Sequence, residues 1–118
     1  MIVTSYNCRG LASQPKKLAL RELVNSHKPD VILIQETLGK GEEVKGSLSK
    51  LLSGWTFHAL DANGHSGGVA TGYKSRKLRE ISTWGSESAL AVELYSNEIC
   101  IPLLLLNFYG PCVEHERF

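Results

Sequence analysis

Asp30-Val31-Ile32-Leu33-Ile34-Gln35-Glu36 is the stretch on which the reading of the fold turns. Four apolar residues in a row, three of them β-branched, have the length and composition of a strand. The lack of alternation marks a strand covered on both faces, and it breaks into two polar residues at its far end. Upstream, Ser13 stands where an N-cap belongs and Pro15 falls near the first helical position. Ala19, Leu20, Leu23, Val24 and His27 then recur at three- and four-residue intervals, with Lys16, Lys17, Arg21 and Glu22 between them. That pattern predicts an amphipathic helix ending before Pro29. Before it, Ile2-Val3-Thr4-Ser5-Tyr6 reads as a strand stopped by the turn-forming Asn7-Cys8-Arg9-Gly10. Strand, helix, strand predicts a right-handed crossover and two parallel strands in one sheet. Asn7 and Gln35-Glu36 are then the polar residues at the two carboxyl ends, on the edge where ligands of α/β sheets collect.

Downstream, residues 42–54 read as a shorter helix with Val44, Leu48, Leu51 and Leu52 on one side. Trp55 to Leu60 reads as a strand, Asp61-Ala62-Asn63-Gly64 as a turn, and Gly68 to Lys74 as the returning arm of a hairpin. Further strands are predicted over Leu78 to Trp84, Ala89 to Tyr95 and Ile99 to Tyr109, which gives the second half an antiparallel character. Pro102 supplies no ladder donor, so it belongs near the start of the last strand or on its unpaired edge. The class is α/β. With 118 residues, residues 1–118 are expected to form one unit, because domains cluster at roughly 100 to 150 residues.

Composition narrows the field. Hydrophobic residues make up 42% and charged residues 21%, an ordinary globular mix that argues against disorder. The run Ile101 to Leu106 is far shorter than the roughly 18 residues of a membrane span, and no basic flank leads into a signal-type stretch. An intracellular protein, nuclear or cytoplasmic, neither secreted nor membrane-inserted, is the expectation. Cys8, Cys100 and Cys112 are odd in number and contain no Cys-x-x-Cys pair, which fits a reducing compartment. The net charge of +1 divides unevenly. Residues 1–80 carry twelve Lys/Arg against seven Asp/Glu, and residues 81–118 one against five. Two basic clusters, Lys16, Lys17, Arg21 and Lys28, and Lys74, Arg76, Lys77 and Arg79, are candidates for attracting phosphate or are simply solvated faces.

Glu36 is the leading chemical candidate. A carboxylate at a strand exit faces a crevice and suits a hard cation such as magnesium, which takes one or two carboxylates at about 2.1 Å and keeps several waters for phosphate oxygens to replace. Asn7 would orient that carboxylate or a metal-bound water. The same spacing equally fits a glutamate that caps a loop and an asparagine that turns the chain. Tyr109, in Asn107-Phe108-Tyr109-Gly110-Pro111, ends a long strand on the same rim, where its phenol either reaches a phosphate oxygen or packs the sheet. Gly67-Gly68-x-x-x-Gly72 matches neither a dinucleotide fingerprint nor a P-loop and reads as hairpin geometry. Cys8 has no paired base and reads as a small semi-buried residue. The four histidines show no ligand spacing.

Four segments in order carry a family resemblance: Tyr6-Asn7-Cys8-Arg9-Gly10-Leu11, Lys28-Pro29-Asp30-Val31 through Ile34-Gln35-Glu36-Thr37, Ser66-Gly67-Gly68-Val69, and Asn107-Phe108-Tyr109-Gly110-Pro111. Together they resemble the endonuclease/exonuclease/phosphatase (DNase I-like) family. Within it they look most like the endonuclease domain of plant LINE-type (non-LTR) retrotransposons. The resemblance covers nearly the whole chain. It implies the N-terminal part of a truncated four-layer α/β sandwich, two packed β-sheets flanked by helices, and a hydrolase that cuts phosphodiesters with Mg²⁺ or Mn²⁺. Its implied partner is nucleic acid, DNA first. Carried over residue by residue, Asn7 resembles the family's site asparagine, Glu36 its metal-binding glutamate with Asn7 beside it, and Tyr109 its phosphate-contacting tyrosine.

The chain departs from the pattern in the later motifs. Gly-Asp-x-Asn and Ser-Asp-His do not occur in it, and its only aspartates are Asp30 and Asp61. His115 is no substitute, since Cys112 to Phe118 resembles the connection that follows Tyr-Gly-Pro in the family. Two expectations follow. One is an endonuclease fragment inactive alone for want of a base; the other is a noncatalytic module that binds nucleic acid or protein. Both leave Leu103 to Leu106 with one face uncovered, which predicts marginal stability and self-association.

Overall fold

The computed structural model describes residues 1–63 and 66–108. The chain runs β1 (Val3–Asn7), α1 (Gln14–His27), β2 (Val31–Gln35), α2 (Gly41–Leu51), β3 (Trp55–Asn63), β4 (Ser66–Lys74), β5 (Leu78–Gly85), β6 (Ala89–Ser96) and β7 (Ile101–Phe108). Two sheets form, one of order β1-β2-β4-β3 and one of order β5-β6-β7. β1 and β2 are parallel, with Asn7 opposite Gln35, as the crossover requires. β4 then inserts antiparallel between β2 and β3, so that Gln35 faces Val69 and Ile34 faces Ala70.

The period of each element decides what it covers. Ile32 and Ile34 point from β2 toward the helices, joining Leu20 and Val24 of α1, Val44 and Leu48 of α2, and Phe57 of β3 in one core. Val31 and Leu33 point the other way, into a second core with Val69, Tyr73, Leu78, Leu90, Val92, Leu94, Leu103 and Leu105. β2 is therefore buried on both faces. The layers are helices, first sheet and second sheet, an α/β arrangement with two packed sheets. Ser13 caps α1, its hydroxyl accepting from the Lys16 N–H at 3.4 Å, and Pro15 lies in the first turn. Ala19 and His27 are exposed; of the expected stripe, Leu20, Leu23 and Val24 face the core, a narrow face centred on Leu20 and Val24, four residues and about one turn apart.

The predicted turn at Asp61-Ala62-Asn63-Gly64 is corrected. β3 continues to Asn63 and pairs with β4 from Ser66, leaving only Gly64 and His65 between the strands, outside the described residues. A tertiary contact overrides the local turn preference of Asp61: its carboxylate accepts the Gly41 N–H at 2.5 Å and so satisfies the start of α2, whose N-cap Lys40 makes no side-chain cap bond. α2 also begins and ends earlier than residues 42–54. β5 carries a bulge between Glu80 and Ser82. Pro102 is the second residue of β7, the last strand in the order β5-β6-β7, where its missing N–H leaves no ladder bond unmade.

Polar groups tie the layers together. Asp30, 5% exposed, accepts the Ile2 N–H at 2.9 Å and the Lys77 ammonium at 3.2 Å. Burial pushes its carboxyl up, but these partners outweigh burial and hold it below the usual carboxylate range. Between the sheets, Glu80 accepts from Tyr73 at 2.8 Å and from Thr83 at 2.8 Å, and pairs with His58 at 2.6 Å. No helix among the described residues is long and apolar enough to cross a membrane.

Candidate functional site

Asn7 ends β1, and Glu36 is the first residue after β2. Because the strands are parallel and in register to Asn7 and Gln35, the two side chains leave the sheet side by side. The Asn7 Nδ2 donates to Glu36 Oε2, and the Asn7 Oδ1 accepts the Arg9 N–H at 3.2 Å. Asn7 thus holds the carboxylate with one end of its amide and its own turn with the other. Glu36 is only half-buried, so its second oxygen keeps acceptor capacity.

The turn bearing Glu36 is unusual in its backbone. Arg9, Glu36 and Leu38 all have φ near +50°, at 50°, 56° and 55°, a region that costs a non-glycine residue about 1 kcal/mol or more and persists only when neighbours enforce it. The neighbours are identifiable. The Glu36 carbonyl accepts the Gly10 N–H at 2.7 Å, and the Thr37 carbonyl accepts the Leu11 N–H at 3.3 Å. From the other side, the Thr37 and Leu38 N–H groups donate to the carbonyls of Gly68 and Gly67 at 3.2 and 3.3 Å. Cys8, 1% exposed, points its thiol at the Gln35 and Glu36 carbonyls, 3.4 Å from each. Burial raises its pKa despite backbone hydrogen bonds that act the other way, which suits a packing residue.

Three supports escaped the sequence reading. Gly67 and Gly68 do more than shape a hairpin: they form the wall against which the Glu36 turn closes, and a Cβ on Gly68 would lie 2.4 Å from Thr37 Oγ1. Gln35, by sequence a polar strand end, bonds Ser5, the Leu33 carbonyl and Asn107. Asn107, 1% exposed in β7, reaches from the second sheet to the first. The signal for Asn107 was its polarity within an otherwise apolar strand.

Tyr109 lies outside the described residues. Among the described residues there is no group of three or more His, Cys, Asp or Glu side chains placed to hold a metal. The donor set is one carboxylate braced by an amide, suited to a hard cation that keeps most of its water. Of the basic clusters, Lys77 is committed to Asp30 and Arg79 lies over the Tyr95 ring, 5.1 Å from its centroid.

Known structures share this architecture. The AP endonuclease LMAP from Leishmania major aligns over 91% of this chain and 39% of its own, with 23% identity and a TM-score of 0.65. A conserved protein of unknown function from Enterococcus faecalis aligns over 98% of this chain and 56% of its own, with 20% identity and a TM-score of 0.72. D. rerio TDP2, solved with a single strand DNA product, aligns over 86% of this chain and 42% of its own, with 15% identity and a TM-score of 0.65. The chain therefore spans 39 to 56% of the length of these structures. A search of curated proteins gave no match. A model of the Endonuclease/Exonuclease/phosphatase family matches residues 4–112, nearly the whole sequence that forms these sheets and this rim, and the chain belongs to that family.

Proposed function

We propose that these residues form the metal-side part of a phosphodiesterase domain acting on nucleic acid, DNA first, of the retroelement type that the plant LINE-like motifs suggest. The observation that carries it is the paired Asn7 amide and Glu36 carboxylate at the carboxyl ends of two parallel strands. Family members generally depend on a divalent metal, and the half-buried Glu36 carboxylate fits Mg²⁺ or Mn²⁺. Bound there, the cation would supply Lewis-acid stabilisation of charge on a phosphoryl oxygen. Asn7 fixes the carboxylate's rotamer, and Tyr109 would donate its phenol to a phosphate oxygen. Support for nucleic acid comes from two fold relatives, an AP endonuclease and TDP2 bound to a single strand DNA product.

Hydrolysis also needs a group that takes the proton of the attacking water. The sequence offers no Gly-Asp-x-Asn or Ser-Asp-His segment for that role. The expected result is an isolated 118-residue chain that binds Mn²⁺ through Glu36 and does not nick plasmid DNA with Mg²⁺. Nicking that disappears in Glu36→Ala would overturn the assignment of inactivity; failure of Glu36→Ala to change Mn²⁺ binding would overturn the site. The alternative, a noncatalytic nucleic-acid-binding module, draws on the unpaired members of the basic clusters and predicts salt-sensitive DNA binding indifferent to Glu36 and to metal.

A further inference from the structure

We infer that Asn107 is a positioning residue that sets the Glu36 turn from the opposite sheet, an inference that rests on the proposed metal site for its functional meaning. Asn107 belongs to β7, where it pairs with Leu90 of β6. Its carboxamide leaves that sheet altogether. Nδ2 donates to the Ile34 carbonyl at 3.2 Å, the Ala70 carbonyl at 2.9 Å and the Thr71 hydroxyl at 3.1 Å, while Oδ1 accepts from Gln35 Nε2 at 3.0 Å. One buried side chain thus grips β2 and β4 at their Ile34 and Ala70 pairing, with both ends of its amide satisfied.

The grip falls immediately before the rim. Ile34 and Gln35 are the last two residues before Glu36, and Ala70 lies two residues after Gly68, whose carbonyl holds the Thr37 N–H. Gln35 passes the constraint on: its Oε1 accepts from Ser5 Oγ at 3.3 Å, two residues before Asn7. A line of hydrogen bonds therefore runs from Asn107 through Gln35 to Ser5 beneath both strand ends. The Glu36 turn needs outside support because its φ of 56° is not self-sustaining. A leucine at position 107 would fill the space and glue the sheets. It would do nothing to fix where the two strand ends sit relative to each other.

The test is native-state amide exchange followed by NMR on the 118-residue chain, comparing wild type with Asn107→Ala and with Gln35→Ala, the second variant guarding against loss of folding in the first. The expected result is exchange faster by roughly tenfold or more at Gly10, Leu11, Thr37 and Leu38, with Leu20, Val24 and Leu94 retaining their protection, since loss of buried hydrogen bonds at one end of a sheet opens that end locally. Uniform acceleration across both sheets, or no change at those four rim amides in either variant, would overturn the inference. A parallel Mn²⁺ titration separates the two claims. If wild type shows no Glu36-dependent binding, the metal reading fails while the exchange pattern still decides the role of Asn107. If it does bind, Asn107→Ala is expected to weaken binding several-fold, and unchanged affinity would refute the positioning role.

Discussion

Replacing Gly68 by alanine tests how the rim is built. Gly68 has φ +80°, and a Cβ there would meet Thr37 Oγ1 at 2.4 Å, the Leu38 nitrogen at 3.2 Å and the Ala62 Cβ at 3.4 Å. The backbone conformation costs alanine about 1–2 kcal/mol, and the overlap with a buried neighbour adds about 1–3 kcal/mol. Gly68→Ala is therefore expected to lose roughly 2–5 kcal/mol. Thr37 offers a second site to change, because its buried hydroxyl has no hydrogen-bond partner among the described residues. Thr37→Ala should cost only about 1 kcal/mol, for lost methyl packing. It also removes the atom that Gly68→Ala strikes. In the Thr37→Ala background the 2.4 Å overlap is gone and only the closer approach to the Leu38 nitrogen at 3.2 Å remains, so the glycine substitution should cost mainly the backbone term, about 1–2 kcal/mol, a coupling of up to about 1–3 kcal/mol between the two sites. Urea unfolding followed by tryptophan fluorescence reads all four corners of the cycle. A single Gly68→Ala variant within about 0.5 kcal/mol of wild type, or an equal loss in both backgrounds, would refute the account of the rim.

Two further predictions follow from the inter-sheet space and the outer face. Burial raises the Glu80 carboxyl, but hydrogen bonds from His58, Thr83 and Tyr73 outweigh it and leave the pKa lowered. A lowered folded pKa means stability that is present above the unfolded value, near 4.5, and lost as pH falls through the folded value. Glu80→Gln should thus be less stable than wild type at pH 6, with the gap closing below about pH 4.5; a gap that is constant from pH 3 to 7 would contradict this. On the outer face of the second sheet, Trp84, Leu104, Leu106 and Phe108 are each more than half exposed. Self-association of the 118-residue chain through this face should appear as concentration-dependent sedimentation and diminish in Leu104→Lys/Leu106→Glu; monomeric behaviour of wild type at high concentration with cooperative thermal unfolding would exclude it.

The first three elements and the placement of Asn7 beside Glu36 were legible because local and tertiary signals agree there. Val31 to Ile34 is apolar without alternation, and β2 is indeed buried on both faces. Ser13 and Pro15 open α1 as caps do, and the parallel register places Asn7 beside Glu36 as the crossover demands. β7 was legible in the same way: Leu103 and Leu105 pack inward while Leu104 and Leu106 stay exposed. What sequence did not reveal depends on which strands become neighbours. The role of Gly68 exists only because β4 lies beside β2, not beside β3 alone. Asp61 looked like a turn residue until α2 needed a cap. Asn107 is one polar residue in an apolar strand, and no spacing rule connects it with Gln35 across 72 positions. Such contacts are set by sheet order and by how two sheets face each other, and neither is encoded in local periodicity.

The most direct test of the central claim is an NMR titration of the 118-residue chain with Mn²⁺. Paramagnetic broadening should begin at the Asn7 side-chain amide and at the backbone amides of Cys8, Glu36 and Thr37, and should vanish from these signals in Glu36→Ala. Broadening centred elsewhere on the molecule, or unchanged at this rim when the Glu36 carboxylate is removed, would show that the two strand ends do not form a divalent-cation site.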